Sequence, residues 1–261
     1  MAISTGCSGE PETRWGALSI MEIARETDGV SEGFDLDGLD SSEDGADGCG
    51  IADYVNEAGV EGIDNAMARL MPILEQTEGA ALESLIQQAI SRGEVLMLFG
   101  LSDLEDPWND EQITMTFARA TGSPILGADG LIVSGQTFDR DPELEPVVVD
   151  NGQMQDGLFE ASGASVVFPV TIFDATPTLV LEDVKVRFEY DERGDFTGIV
   201  GGALNYDILL EGLLNTGIGN EFEAILPMLF ESNADLDSVD GPCSRLSITM
   251  QVEGVRAHLF D

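Results

Sequence analysis

Apolar positions along the chain define, in order, one strand, two helices, a block of strands, two helices and one strand. In ALSIMEIARE, Ala17 to Glu26, a loose alternation of Leu18, Ile20 and Ala24 predicts the first strand. In DNAMARLMPILEQ, Met67, Leu70, Met71 and Leu74 fall on one helical face, and Asp64 is suited to the N-cap. Pro72 should kink this helix or confine it to short pieces. Leu82, Leu85, Ile86, Ala89 and Ile90 predict a second helix, with Gly93 as its C-terminal stop.

The period then falls to two. EVLMLFGL reads as a buried strand, and QITMTFARA alternates Ile113, Met115 and Phe117 with Thr114 and Thr116. GADG and FDRDPELEP read as turns or loops. Val166, Phe168, Val170 and Ile172 alternate again. In DVKVRFEYD, Val184, Val186, Phe188 and Tyr190 face one way, while Lys185, Arg187 and Glu189 face the other. DERGD turns this strand into FTGIVGGAL as a hairpin, and the glycines of that run indicate close backbone packing. Helical spacing returns through Tyr206, Leu209, Leu210, Leu213 and Leu214, then through Phe222, Ile225, Leu226, Leu229 and Phe230. RLSITMQVEG is the last strand. The fold class expected is α+β: an antiparallel sheet, curled or barrel-like, with two helical pairs packed on it. Residues 17–261 form one domain in this reading, behind a flexible tether at 1–16, with an acidic loop at 33–63.

Charge narrows the partners. Fifty acidic residues against eleven basic ones give a formal net charge of −39, and Lys185 is the only lysine. Such a surface repels nucleic acid and anionic lipid and favours cations. No apolar run approaches the ~20 residues that span a bilayer.

Three cysteines leave an odd one out. Cys7 follows small residues and precedes a polar stretch, as the lipid-anchored cysteine of a mature bacterial lipoprotein does, or else it is an ordinary tail cysteine. Cys49 and Cys243 then remain as a pair. As a disulfide in an exported protein they would close a long loop, worth at most about 5 kcal/mol. The alternative is two buried thiols in a cytosolic protein.

The densest chemistry lies in GFDLDGLDSSEDGADGCG, Gly33 to Gly50. Calcium takes six to eight oxygen ligands from closely spaced carboxylates. Asp40, Ser42 and Asp44, followed by Gly45, match the first half of an EF-hand loop, and Asp47 could add a ligand. Ile51 stands where that motif needs a bidentate Glu, so the complete motif is excluded. Asp35 and Asp37 have the spacing to point together from an extended segment, and Asp64 could join them from the helix start. Calcium is therefore the expected cofactor, against a solvated acidic linker. A second cluster, SDLEDPWNDE, reads as an acidic turn pinned by Trp108. His258 is the only histidine, and no serine-nucleophile, phosphate-loop or zinc-ligand spacing occurs, so no catalytic residue is assigned.

GFDLDG, DNAMARLMP, the GEVLML strand and the late CSRLSITMQVE together resemble a group of uncharacterised exported or lipoprotein-like proteins of myxobacteria and relatives. The resemblance spans most of the chain and implies an envelope or extracellular location, but no activity. Here the segment between GFDLDG and DNA is expanded and carries Cys49. The expectation is an exported, non-enzymatic, calcium-binding envelope protein. The alternatives are an extracellular hydrolase using a carboxylate pair and a carrier of an apolar ligand.

Overall fold

The structure, a computed structural model, describes residues 13–41, 48–76, 82–169, 178–216, 224–237 and 243–260. Its strands are β1 (Arg14–Ile23), β2 (Glu26–Thr27), β3 (Val30–Ser31), β4 (Met97–Ser102), β5 (Asn109–Thr121), β6 (Gln136–Arg140), β7 (Val147–Gln155), β8 (Leu158–Pro169), β9 (Thr178–Tyr190), β10 (Phe196–Asn205), β11 (Leu236–Asp237) and β12 (Cys243–Phe260). The helices are α1 (Ala66–Leu74), α2 (Leu82–Arg92), α3 (Tyr206–Thr216) and α4 (Leu226–Glu231).

Eight strands pair antiparallel in the order β1, β4, β5, β7, β8, β9, β10, β12, and β12 pairs back onto β1. The fold is α+β with a closed barrel. Closure gives every barrel strand a neighbour on each side, which is how an antiparallel sheet limits exposed edges, although β7 and β8 pair only through Gln153–Gln155 and Leu158–Glu160. β6 lies off this ring, parallel to the end of β12 and antiparallel to the end of β5.

Alternation along the strands sends large side chains inward. Phe99 of β4 meets Phe117, Phe188 and Phe196 edge-on at centroid distances of 5.4, 5.3 and 5.6 Å. All four rings are at most 3% exposed, and they come from strands on opposing walls, so aromatic packing fills this part of the interior. Glycine makes the room: a Cβ on Gly254 would stand 2.0 Å from Phe196 Cε1.

With Phe188 pointing in, Lys185 and Arg187 point out, and a lap of chain, described over residues 24–41 and 48–65, packs on that outer face. Phe34 of the lap seats where β10 has no side chain, since a Cβ on Gly201 would lie 2.6 Å from its ring. The Arg187 guanidinium stacks 5.2 Å from the same ring. Ala24 N–H donates to Thr249 O at one end of the lap. At the other end, Ala66 N–H, the first of α1, donates to Ser247 Oγ of β12. Gln87 of α2 donates to Ser19 O of β1, and α3 touches α4.

Several sequence expectations change. The N-cap of α1 is Asn65, whose side chain accepts from Ala68 N–H, and not Asp64. Pro72 does not divide α1, which ends two residues later at Leu74. β1 starts at Arg14, so Arg14, Trp15 and Gly16 belong to the barrel and not to the tether read over 1–16. FDR of the segment read as loop lies in β6.

Candidate cation site

The lap folds back on itself by main-chain contacts that end at Asp64. Asp64 N–H donates to Phe34 O, and Tyr54 and Ile63 exchange N–H···O bonds at 2.9 and 3.0 Å. The FDLDG stretch curls through short side-chain turns: Gly38 N–H donates to Asp35 Oδ1 at 2.6 Å, and Leu39 N–H to Asp37 Oδ1 at 2.9 Å. The single lysine, Lys185, donates from Nζ to the Asp35 carbonyl. In this curl one carboxylate oxygen from each of Asp35, Asp37 and Asp64 lies within 4.8 Å of the others.

Asp64 is the unusual member. It is 1% exposed. Its Oδ2 accepts from Leu36 N–H at 2.6 Å, whereas its Oδ1 is buried and has no hydrogen-bond donor among the described residues. Burial pushes its carboxyl up to about 8; the Leu36 N–H opposes this, and the charges of Asp235, Asp37 and Asp53 add to it. Two things can stabilise such a group: a proton or a cation.

Two further acids adjoin the lap. Asp53 Oδ2 accepts from Ser41 N–H at 2.6 Å, and its pKa is raised, first by burial. Asp235, 3% exposed, accepts from Ser247 N–H and from Ser247 Oγ; burial lifts it to about 6 against those bonds. Through the same hydroxyl, Asp235 is linked to the first N–H of α1.

Of the residues picked from sequence as metal ligands, Asp35, Asp37 and Asp64 converge. Asp40 is exposed and stands outside that group, while Ser42, Asp44 and Asp47, like Cys7, lie outside the described residues. Cys49 and Cys243 form the disulfide. Asp237 joins them as a third potential ligand, but the two sulfurs are bonded to each other and supply no thiolate. Sequence reasoning passed over Asp53, Asp235 and the tie from Lys185. Only the last left a signal, as the single lysine among fifty carboxylates.

Around Trp108, Asp110 accepts from the Glu105, Asp106 and Gln112 N–H groups, which hold its carboxyl below the usual range. That cluster is a turn, with the exposed Trp108 ring against Gly157. Elsewhere a groove of about 350 Å³ opens on the outer face of β9, β10, β12 and β1, lined by Glu22, Glu32, Arg187, Glu189, Ile199 and Glu253 among others. Neither Asp64 nor Asp235 lines it, and Arg187 is paired with Glu160 at 2.6 Å.

No protein-family model, curated protein or solved structure matches the chain.

Proposed function

We propose that this is a non-enzymatic protein of the cell envelope or extracellular space, in which a bound divalent cation of the calcium type fastens the acidic lap to a closed β-barrel. The observation that carries the reading is the orphaned Asp64 Oδ1, buried beside the carboxylates of Asp35 and Asp37. Ionised together, the three groups would repel one another, and the Oδ1 of Asp64 has exchanged water for an unpartnered position. A dication reverses both penalties at once. The donors are hard oxygens without nitrogen or sulfur, which suits calcium better than zinc or copper. Asp35, Asp37 and Asp64 would hold the ion, and its role is structural.

The disulfide is compatible with an extracellular location, as is the lack of any helix long and apolar enough to cross a membrane among the described residues. The resemblance to exported proteins points the same way, and attachment through a lipid on Cys7 belongs to this reading. A carrier of apolar ligands has less support, because phenylalanines occupy the barrel interior. A carboxylate-pair hydrolase has less, because the two acids with strongly raised pKa are sealed away from the groove.

Calorimetric titration of EDTA-stripped protein with calcium, in excess monovalent salt, tests the proposal. A saturable site is expected in the native chain and is expected to vanish in Asp35→Asn/Asp37→Asn. Heats that never saturate, or that are the same in the variant, would overturn it.

A further inference from the structure

Two places on the lap bear on the cation site. At its root, Asp35, Asp37 and Asp64 converge. At its far turn, Gly48–Gly50, the disulfide from Cys49 holds it to Cys243 at the start of β12. A hydrogen-bonded run joins the two. Asp53 N–H donates to Ser41 O and Asp53 Oδ2 accepts from Ser41 N–H, clasping the two arms of the lap. The adjacent Tyr54 bonds Ile63 in both directions, and Ile63 precedes Asp64. Arg69 of α1 donates to Ala52 O and stacks 5.3 Å from the Tyr54 ring, bracing the middle of the run. Freedom given to Cys49 therefore passes along this run to a cation ligand.

We propose that the Cys49–Cys243 disulfide and the cation site are energetically coupled, so that opening the disulfide weakens cation binding and a bound cation protects the disulfide. This rests on the cation reading above. Both cysteines are half-buried and within reach of a small dithiol. A thiolate of the dithiol attacks one sulfur, and the S–S electron pair leaves on the other cysteine, which takes up a proton. The second thiolate of the reagent then displaces the first cysteine, leaving two protein thiols and a cyclic oxidised reagent. Asp237 stands over this chemistry, its Oδ1 3.6 Å from Cys49 Sγ and 3.2 Å from Cys243 Sγ. Its charge opposes both the incoming and the leaving thiolate, so the tie opens reluctantly. Coupling of this kind is reciprocal: the factor by which reduction weakens cation binding equals the factor by which the cation shifts the reduction equilibrium.

The test measures that factor twice. Calcium affinity is determined by calorimetry for the oxidised chain, for the dithiol-reduced chain and for Cys49→Ser/Cys243→Ser. Separately, the ratio of reduced to oxidised dithiol that half-reduces the native chain is measured with and without saturating calcium. The expected result is a dissociation constant about tenfold weaker in both opened forms. Calcium should raise the half-reduction ratio by the same factor, and should leave it unmoved in Asp35→Asn/Asp37→Asn. Calcium bound equally well before and after reduction would overturn the coupling alone. Failure of the oxidised chain to bind calcium would overturn the cation reading, and the coupling with it. Loss of the barrel's circular dichroism in the opened forms would also overturn the proposal, because the disulfide would then be holding the fold and not the site.

Discussion

Asp64 shows how one buried acid couples a lap to pH. Its folded pKa, about 8, stands above that of a carboxyl in the unfolded chain, roughly 4. In the metal-free protein the folded state therefore keeps a proton that the unfolded state gives up. Its contribution to stability is complete below about pH 4 and is lost as pH rises towards 8 and through it. The slope reaches about 1.4 kcal/mol per pH unit for one such proton. Asp235, lifted to about 6, adds in the same direction over the lower part of that window. Denaturant unfolding of EDTA-treated protein from pH 4 to pH 9 should show this fall, and Asp64→Asn should flatten it. A variant with the native slope would remove Asp64 from the explanation. The identity of this residue was legible in the sequence, but its role was not. In DN, Asp64 and Asn65 are both good N-caps; Asn65 takes the cap, while Leu36 N–H donating to Asp64 Oδ2 and the bond from Asp64 N–H to Phe34 O hold Asp64 inward. That bond links residues thirty positions apart and leaves no trace in local spacing.

Between the elements, glycine decides where side chains meet. Phe34 seats over Gly201, so Gly201→Val should push the lap off β10 at a cost of about 1–3 kcal/mol, read by denaturant unfolding. Calcium affinity should fall in the same variant; unchanged affinity would mean that the lap docks independently of that notch. Inside the barrel, Phe188 touches Phe99, Phe159 and Phe196, and Phe188→Ala should cost about 3–5 kcal/mol in the same assay. Strands with clean alternation were readable in advance: β9 keeps Val184, Val186 and Phe188 in and Lys185 and Arg187 out, as its sequence reads. β7 was not. Its pairing with β5 slips at two irregularities between Asp110 and Met115, so VVVDNGQMQ buries Val149, Gly152 and Met154 out of strict phase. β6 was hidden for a different reason, because a strand that pairs at both edges of a barrel end needs little apolar character, and Phe138 is its one buried residue.

At the scale of the whole molecule, a net charge of −39 works against compactness, and the barrel resists it with a closed ladder and an apolar interior. The charge is least tolerable where burial removes water, at the root of the lap. Calcium should matter there beyond its effect as a screening ion. A curled or barrel-like antiparallel sheet was legible in the alternating runs, and closure of β12 onto β1 completes it with a strand, β7, that those runs did not show. The lap was not legible, because residues 24–41 and 48–65 have no period of their own and are held by contacts to β9, β10 and β12. The most direct measurement is the thermal melt of the oxidised protein in excess monovalent salt, with EDTA, with millimolar calcium and with millimolar magnesium. A rise in Tm with calcium alone, absent in Asp35→Asn/Asp37→Asn, is the expected result, since a ligand that binds only the folded state must stabilise it. Equal small shifts with both metals would contradict the account, leaving the lap an acidic segment that ions merely screen.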